Sequence, residues 1–128
     1  MPADAAIELD AVELVERAGQ IELRARFRVP AAHAVLAGHF PGAPLVPGVL
    51  LLQAVCLACE RAFDRPFAIE EATEVRFFKP VLPDTAVQVS ARVRGPVPSL
   101  EVEGECSQQG ARVAAFTLRL GPGRAEVR

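Results

Sequence analysis

Residues 38–53 read GHFPGAPLVPGVLLLQ and divide into two parts. The first part is too rich in proline and glycine for a helix or a strand, which indicates a rigid loop that holds His39 in one place. A loop of this length inside a compact domain favours a functional role. The second part is an apolar run interrupted by Gln53, and Pro47 suits the first position of a helix because it lacks the N–H. This stretch therefore predicts a functional loop that leads into a helix.

The predicted helix extends from Val49 to Phe63, and Asp64-Arg-Pro66 ends it. Its first three turns are apolar on every side except at Gln53, and we assign Leu50, Leu51 and Leu52 mainly to the core. A helix without a polar face must be surrounded by protein rather than laid on a surface. We therefore expect a curved sheet wrapped around this helix.

Alternation of apolar and polar side chains predicts six strands. The clearest is Ile21–Val29, which a turn at 17–19 joins to the weaker strand Ala6–Val15 as a hairpin. The other four are Thr73–Lys79, Ala86–Arg94, Leu100–Ser107 and Val113–Leu120. The order ββαββββ predicts an α+β fold in one domain over residues 1–128, with 121–128 as a flexible tail.

Composition narrows the class of protein. The chain has 128 residues, of which 51% are hydrophobic, so one well-packed core is expected. A formal charge of −2 and the absence of a basic excess argue against nucleic-acid binding. The acidic N-terminus does not resemble a secretory signal, and the apolar run Val49–Cys59 is too short to span a membrane. Three cysteines without a secretion signal indicate reduced thiols, so a cytoplasmic location is expected.

The start of the helix suggests chemistry on a carbonyl group. The first N–H groups of a helix lack partners within it, so those near Gly48 and Val49 are suited to bind a carbonyl oxygen or an oxyanion. A histidine titrates near neutral pH, and His39 beside such a site suits removal of a proton α to that carbonyl. These residue types point to proton removal next to a carbonyl group.

The same residues resemble a known family. GHFPGAPLVPGVLLLQA over Gly38–Ala54 is similar to the signature of the hot-dog-fold 3-hydroxyacyl-acyl-carrier-protein dehydratases, GHFPGxPxxPGVLxxEA. A second segment, Val75–Asp84, is similar to the family pattern VxFxxPVxPGD but lacks the glycine before the aspartate. The resemblance implies a hot-dog fold, with an antiparallel sheet of about six strands around one long helix.

The resemblance also implies roles for particular residues. His39 matches the catalytic histidine that takes the α-proton, and the N–H groups near Gly48 and Val49 match those that polarise the thioester carbonyl. We expect Phe40 and Pro47 to contribute to substrate binding with them. The implied reaction is syn-elimination of water from a 3-hydroxyacyl thioester of acyl carrier protein or CoA. It implies no metal and no cofactor, since phosphopantetheine arrives with the substrate, and it implies a homodimer with a shared active site.

Gln53 departs from the family pattern. It stands where the family has the helix carboxylate that protonates the departing hydroxyl, and an amide has no such proton to give. Losing a general acid costs about 10²–10⁴ in rate. Glu60 is roughly 10 Å further along the helix, too far to substitute. Three hypotheses stay open: a specialised or weakened dehydratase, a thioesterase on the same fold, and a non-catalytic acyl-thioester-binding subunit that pairs with an active homologue.

Other candidate residues have ordinary explanations beside functional ones. Cys56 and Cys59 spell CxxC, yet they lie in mid-helix, where buried hydrophobic packing is the better interpretation. We interpret His33 as a loop residue without a functional role. The stripe Arg24, Arg26 and Arg28 lies on one face of a strand, and we interpret it as a solvated sheet face. A dispersed basic group is expected either to be solvated or to face an acidic carrier protein: Arg61, Arg65, Arg76 and Lys79.

Overall fold

The computed structural model describes residues 7–32 and 46–123. These residues form one antiparallel sheet and one helix. The elements are β1 (Glu8–Arg17), β2 (Gln20–Arg28), α1 (Gly48–Phe63), β3 (Phe67–Phe77), β4 (Val87–Arg94), β5 (Leu100–Gln108) and β6 (Ala111–Pro122). The predicted order ββαββββ and the hot-dog architecture are confirmed.

The sheet order β1-β2-β4-β5-β6-β3 explains the position of the helix. β2 lies next to one edge of the sheet, whereas β3, the next strand along the chain, forms the opposite edge. The connection between them must cross the sheet, and α1 makes this crossing, with contacts to β1, β2 and β3. The helix is thereby placed against the inner face of the sheet.

Period-two alternation supplies the core between the sheet and α1. Leu23, Ala25 and Phe27 of β2 are buried, while the residues between them are exposed. β4 alternates in the same way without exception. From α1, the buried side chains are Leu50, Leu51, Ala54, Val55, Cys56, Ala58 and Cys59, so the inner faces of helix and sheet meet in one apolar cluster.

The third strand begins earlier than the sequence predicts, at Phe67 rather than Thr73. Ala68 to Thr73 are all exposed because β3 is an edge strand that pairs only with β6 among the described residues, so its residues do not alternate in polarity. At the other end of the chain, β6 includes Gly121 and Pro122, which were expected in the tail. Residues 124–128 lie outside the described part.

The expectation that α1 has no exposed face is wrong for the single chain. Val49 is 63% exposed and Leu57 is 40% exposed, and Gln53 between them is also exposed. These three residues, spaced four apart, lie on one side of the helix and are here called the outer stripe. The sheet covers only the opposite side of α1, which leaves the outer stripe uncovered by the described chain.

Candidate functional site

The first two backbone N–H groups of α1 have no acceptor in the part of the chain that the structure describes. Pro47 is extended, with φ −62° and ψ 142°, so it is the N-cap rather than the first helical residue that the sequence predicts. No side chain among the described residues caps this end, and the first turn contains no acidic residue. The N–H of Leu50 donates to the carbonyl of Pro47 at 3.0 Å. The N–H groups of Gly48 and Val49 have no acceptor among the described residues, which is the usual state of the first donors of a helix.

The two sequence motifs meet at this helix start. The N–H of Val46 donates to the carbonyl of Val81 at 2.9 Å. The ring of Phe77 lies over Gly48, where a Cβ would approach Cε1 to 2.6 Å and Cε2 to 2.8 Å. Position 48 therefore requires glycine for as long as the ring keeps this place. Val81 and Phe77 of the second motif therefore hold the helix start that belongs to the first motif.

The second motif also contacts the chain just before the His39 loop, through Asp84. The N–H of Ala31 donates to Oδ1 of Asp84 at 3.1 Å, and the N–H of Asp84 donates to the carbonyl of Val29 at 2.8 Å. Asp84 has a φ of +60°, a left-handed conformation that aspartate tolerates better than most residues. Together with the Val46 bond, these contacts fix the chain on both sides of residues 33–45. His33, His39 and Phe40 lie outside the described residues.

Gln108 holds the end of the second motif in place, a role that no sequence pattern predicted. Its side chain is 6% exposed, and its Oε1 accepts the N–H of Leu82 at 3.0 Å. Its Nε2 donates to the carbonyls of Leu82 at 3.0 Å and Thr85 at 3.2 Å. The amide therefore pairs with the loop that follows β3 as a backbone segment would. A lone glutamine at the end of a strand carries no sequence signal of this role.

Gln53 is exposed on the outer stripe and is not a buried structural amide. It borders a groove of about 490 Å³ between α1 and the start of β3, lined by Ile7, Gln53, Cys56, Leu57, Glu60, Phe67 and Ile69. The lining is mostly apolar. Gln53 thus presents its amide away from the core of its own chain.

Glu60 lines the same groove but has a structural role. Its Oε2 accepts the N–H of Phe67 at 2.9 Å, which fixes the first residue of β3 to the helix. The two helical turns between Gln53 and Glu60 correspond to about 10 Å. The carboxylate of Glu60 is therefore bound to the backbone of Phe67 and lies about two helical turns from Gln53.

The three cysteines are buried apolar groups. Burial raises the pKa of Cys56 to about 11 and those of Cys59 and Cys106 to about 12, with smaller contributions from neighbouring acidic groups. Thiols with such pKa values stay protonated at neutral pH, whereas metal binding and redox exchange need the thiolate. Among the described residues, no cluster of three or more metal-ligating side chains occurs.

The basic stripe of β2 is neutralised by neighbouring carboxylates. Arg26 pairs with Asp10 at 2.9 Å and Arg28 with Glu8 at 2.6 Å, both across the β1–β2 ladder. Arg24 pairs with Glu22 at 3.0 Å on its own strand. This supports the solvated-face interpretation of the stripe. In the dispersed group, Arg61 donates to the carbonyl of Leu9 at 2.9 Å.

A groove of about 730 Å³ lies on the face of the sheet opposite α1. Its lining includes charged side chains of both signs, among them Arg92, Glu103 and Glu105. Among the described residues, no helix start borders this groove, so the candidate site remains the start of α1. No helix in the described segments is long and apolar enough to cross a membrane.

Comparisons with known proteins identify dehydratases as relatives of this chain. Residues 15–114 match the ApeI-like family, described as ApeI dehydratase. The chain is 30% identical over 100 residues to the 3-hydroxyacyl-[acyl-carrier-protein] dehydratase FabZ of Syntrophobacter fumaroxidans, an alignment that covers 70% of this chain and 68% of that enzyme. Other FabZ dehydratases align over 42% to 64% of their own length.

Solved structures share the fold at low sequence identity. The dehydratase heterocomplex ApeI:P from Xenorhabdus doucetiae superposes with a TM-score of 0.63 at 17% identity, covering 88% of this chain and 99% of that one. A putative thioesterase, yhdA from Lactococcus lactis, superposes with a TM-score of 0.69 at 9% identity, covering 91% and 94%. At these identities the likeness shows the hot-dog fold alone.

Proposed function

Because the chain belongs to the ApeI-like dehydratase family, we propose that it is a dehydratase that removes water from 3-hydroxyacyl thioesters carried on acyl carrier protein or CoA. The observation that carries the proposal is the free helix start at Gly48 and Val49, held beside the ends of the His39 loop by the second motif. Such a helix start binds a carbonyl oxygen and stabilises the negative charge that develops when the α-proton leaves.

The mechanism assigns a role to each element. The thioester carbonyl accepts hydrogen bonds from the helix start, which acidifies the α-carbon. His39 removes the α-proton, the C2–C3 double bond forms, and the 3-hydroxyl leaves as water after it gains a proton. Because the Gln53 amide orients the hydroxyl but does not protonate it, we assign that proton to the imidazolium of His39. Phe40 and Pro47 line the substrate path, and no cofactor is required beyond the phosphopantetheine of the substrate.

We further propose that the active site is shared between two copies of the chain. Gln53 lies on the outer stripe, where its amide points away from its own core and is available to a second subunit. A partner on this stripe would also cover Val49 and Leu57, whose exposure is unfavourable in water. The site is then formed by His39 of one copy and Gln53 of the other.

The decisive experiment measures formation of the 2-enoyl thioester and its hydration in reverse. We expect His39→Ala to lower the rate by about 10²–10⁴ and Gln53→Glu to raise it by up to a similar factor, because the variant supplies a general acid. Gln88→Glu makes the same chemical change at an exposed position of β4 and should leave the rate unchanged. If neither the wild-type chain nor Gln53→Glu interconverts the two thioesters with either carrier, the proposal is wrong.

Mixed dimers test whether the site is shared. The double variant His39→Ala/Gln53→Glu has no base, and the wild-type chain has no carboxylate at position 53. After unfolding and refolding together, a mixed dimer has one site with the wild-type His39 opposite the introduced carboxylate. Activity of the mixture above that of both parents supports a shared site, whereas activity equal to the average of the parents refutes it.

A second candidate is a subunit of a heterodimer, because the related ApeI:P structure is described as a heterocomplex and Gln53 lacks the acid. In that case the chain alone binds acyl thioesters without turnover. Adding a homologue with a carboxylate at the matching position then produces turnover. The thioesterase alternative predicts release of free thiol from acyl thioesters, which a thiol reagent detects in the same samples.

A further inference from the structure

The ring of Phe77 contacts the first residue of α1. Phe77 is the last residue of β3 and pairs with Ala114 of β6, so the strand fixes the base of its side chain. The atoms nearest to the place where a Cβ of residue 48 would lie are Cζ, Cε1 and Cε2 of Phe77, which form the far edge of the ring. The aromatic edge therefore reaches the backbone at the helix start, where the proposed thioester carbonyl binds.

Much of this ring remains open to solvent. Phe77 is 52% exposed, although one edge touches Gly48. A large aromatic surface left in water contributes little to the stability of the fold. Apolar surface next to a few directed polar donors is the usual composition of a small-molecule site.

We propose that Phe77 is the residue that contacts and positions the acyl chain, and that it selects thioesters with an apolar chain over those with an acetyl or a polar acyl group. The inference rests on the proposed function. A carbonyl bound at the N–H groups of Gly48 and Val49 places the following acyl carbons within a few bond lengths of the ring. Packing of those carbons on the ring excludes water from one side of the carbonyl, which strengthens its hydrogen bonds.

The neighbouring Phe78 provides a matched control. It is 43% exposed, similar to Phe77, but successive strand residues face opposite sides of the sheet. Its ring lies 4.4 Å from the guanidinium carbon of Arg112, and its N–H donates to the carbonyl of Val113 at 2.8 Å. Phe78→Ala therefore removes an aromatic ring of equal size and similar exposure without touching the helix start.

The experiment measures binding and turnover separately. Affinities for non-cleavable thioether analogues of acetyl- and octanoyl-pantetheine are compared for wild type, Phe77→Ala, Phe77→Leu and Phe78→Ala. We expect Phe77→Ala to weaken octanoyl binding about five- to tenfold and acetyl binding less than twofold, as loss of roughly half a phenylalanine contact predicts. Phe77→Leu should recover most of this affinity, and Phe78→Ala should match wild type.

A double-variant cycle tests the contact with Gly48. A methyl group at this position displaces the ring, so Gly48→Ala should weaken octanoyl binding in the wild-type background. In the Phe77→Ala background the same change should have little further effect, because no ring remains to be displaced. Additive losses would show that the ring and the helix start act independently, which contradicts the inference.

The outcomes separate this inference from the proposed function. If the chain binds octanoyl analogues through Phe77 but forms no enoyl thioester, the inference stands and the dehydratase proposal fails. If it turns over thioesters and Phe77→Ala behaves like Phe78→Ala, the inference fails alone. Absence of octanoyl binding to wild type, or a change only in the oligomeric state of Phe77→Ala by light scattering, also overturns the inference.

Discussion

Replacing Gln108 by methionine tests how the second motif is held in place. Methionine has a similar length but forms none of the three hydrogen bonds that the amide makes with Leu82 and Thr85. Each such bond contributes about 1 kcal/mol net, and a partner left unpaired costs more. Leu82 is 44% exposed, so water replaces part of the loss on its side. We therefore expect the free energy of unfolding to fall by about 2–3 kcal/mol.

The corresponding change in melting temperature follows from chain length. An unfolding entropy of about 2.1 cal/mol/K per residue gives about 0.27 kcal/mol/K for 128 residues. The melting temperature should then fall by about 7–11 °C. Because the loop that Gln108 holds also carries the carbonyl that accepts the Val46 N–H, the amide of Val46 should exchange its hydrogen faster in the variant.

Urea denaturation, thermal melting and hydrogen exchange measure these effects. Gln88→Met is the control, because Gln88 is exposed on β4 and its replacement should change stability by less than about 0.5 kcal/mol. Gln108→Glu keeps an acceptor but loses both donated bonds, and it should be at least as unstable as the methionine variant at neutral pH. A loss below about 1 kcal/mol with unchanged exchange at Val46 would refute the reasoning.

Two further predictions concern the core. Gly104→Ala should destabilise the chain by about 1–3 kcal/mol or more in urea denaturation, because a Cβ there would lie 2.6 Å from the Cβ of Ala91 and closer still to the Ser90 carbonyl oxygen; a neutral effect would contradict this packing. The raised pKa values of Cys59 and Cys106 mean that the unfolded chain loses thiol protons above pH 9 while the folded chain keeps them up to about pH 12. Stability should therefore be highest below pH 9 and fall towards pH 12, and the fall should be shallower in Cys59→Ala; equal slopes would show that this thiol does not contribute.

The sequence alone determined the elements and their order. Period-two alternation identified β2 and β4 because their inner faces are buried and their outer faces are solvated. It missed the first half of β3 because an edge strand exposed on both faces has no alternation to detect. The helix start was predictable because Pro47 and Gly48 act through local backbone geometry, whereas the predicted loop lies outside the described residues.

Only the tertiary structure decided how the distant segments combine. The bond between Val46 and Val81, and the contact of Phe77 with Gly48, join residues about thirty positions apart through the crossover of α1 and the pairing of β3 with β6. The exposure of Gln53 depends on which side of α1 the sheet covers. Helical periodicity does not predict the buried side when nearly every position of the first three turns is apolar. Turns, strands and helix ends depend on neighbouring residues, so the sequence predicts them, whereas these contacts depend on the order of the strands in the sheet.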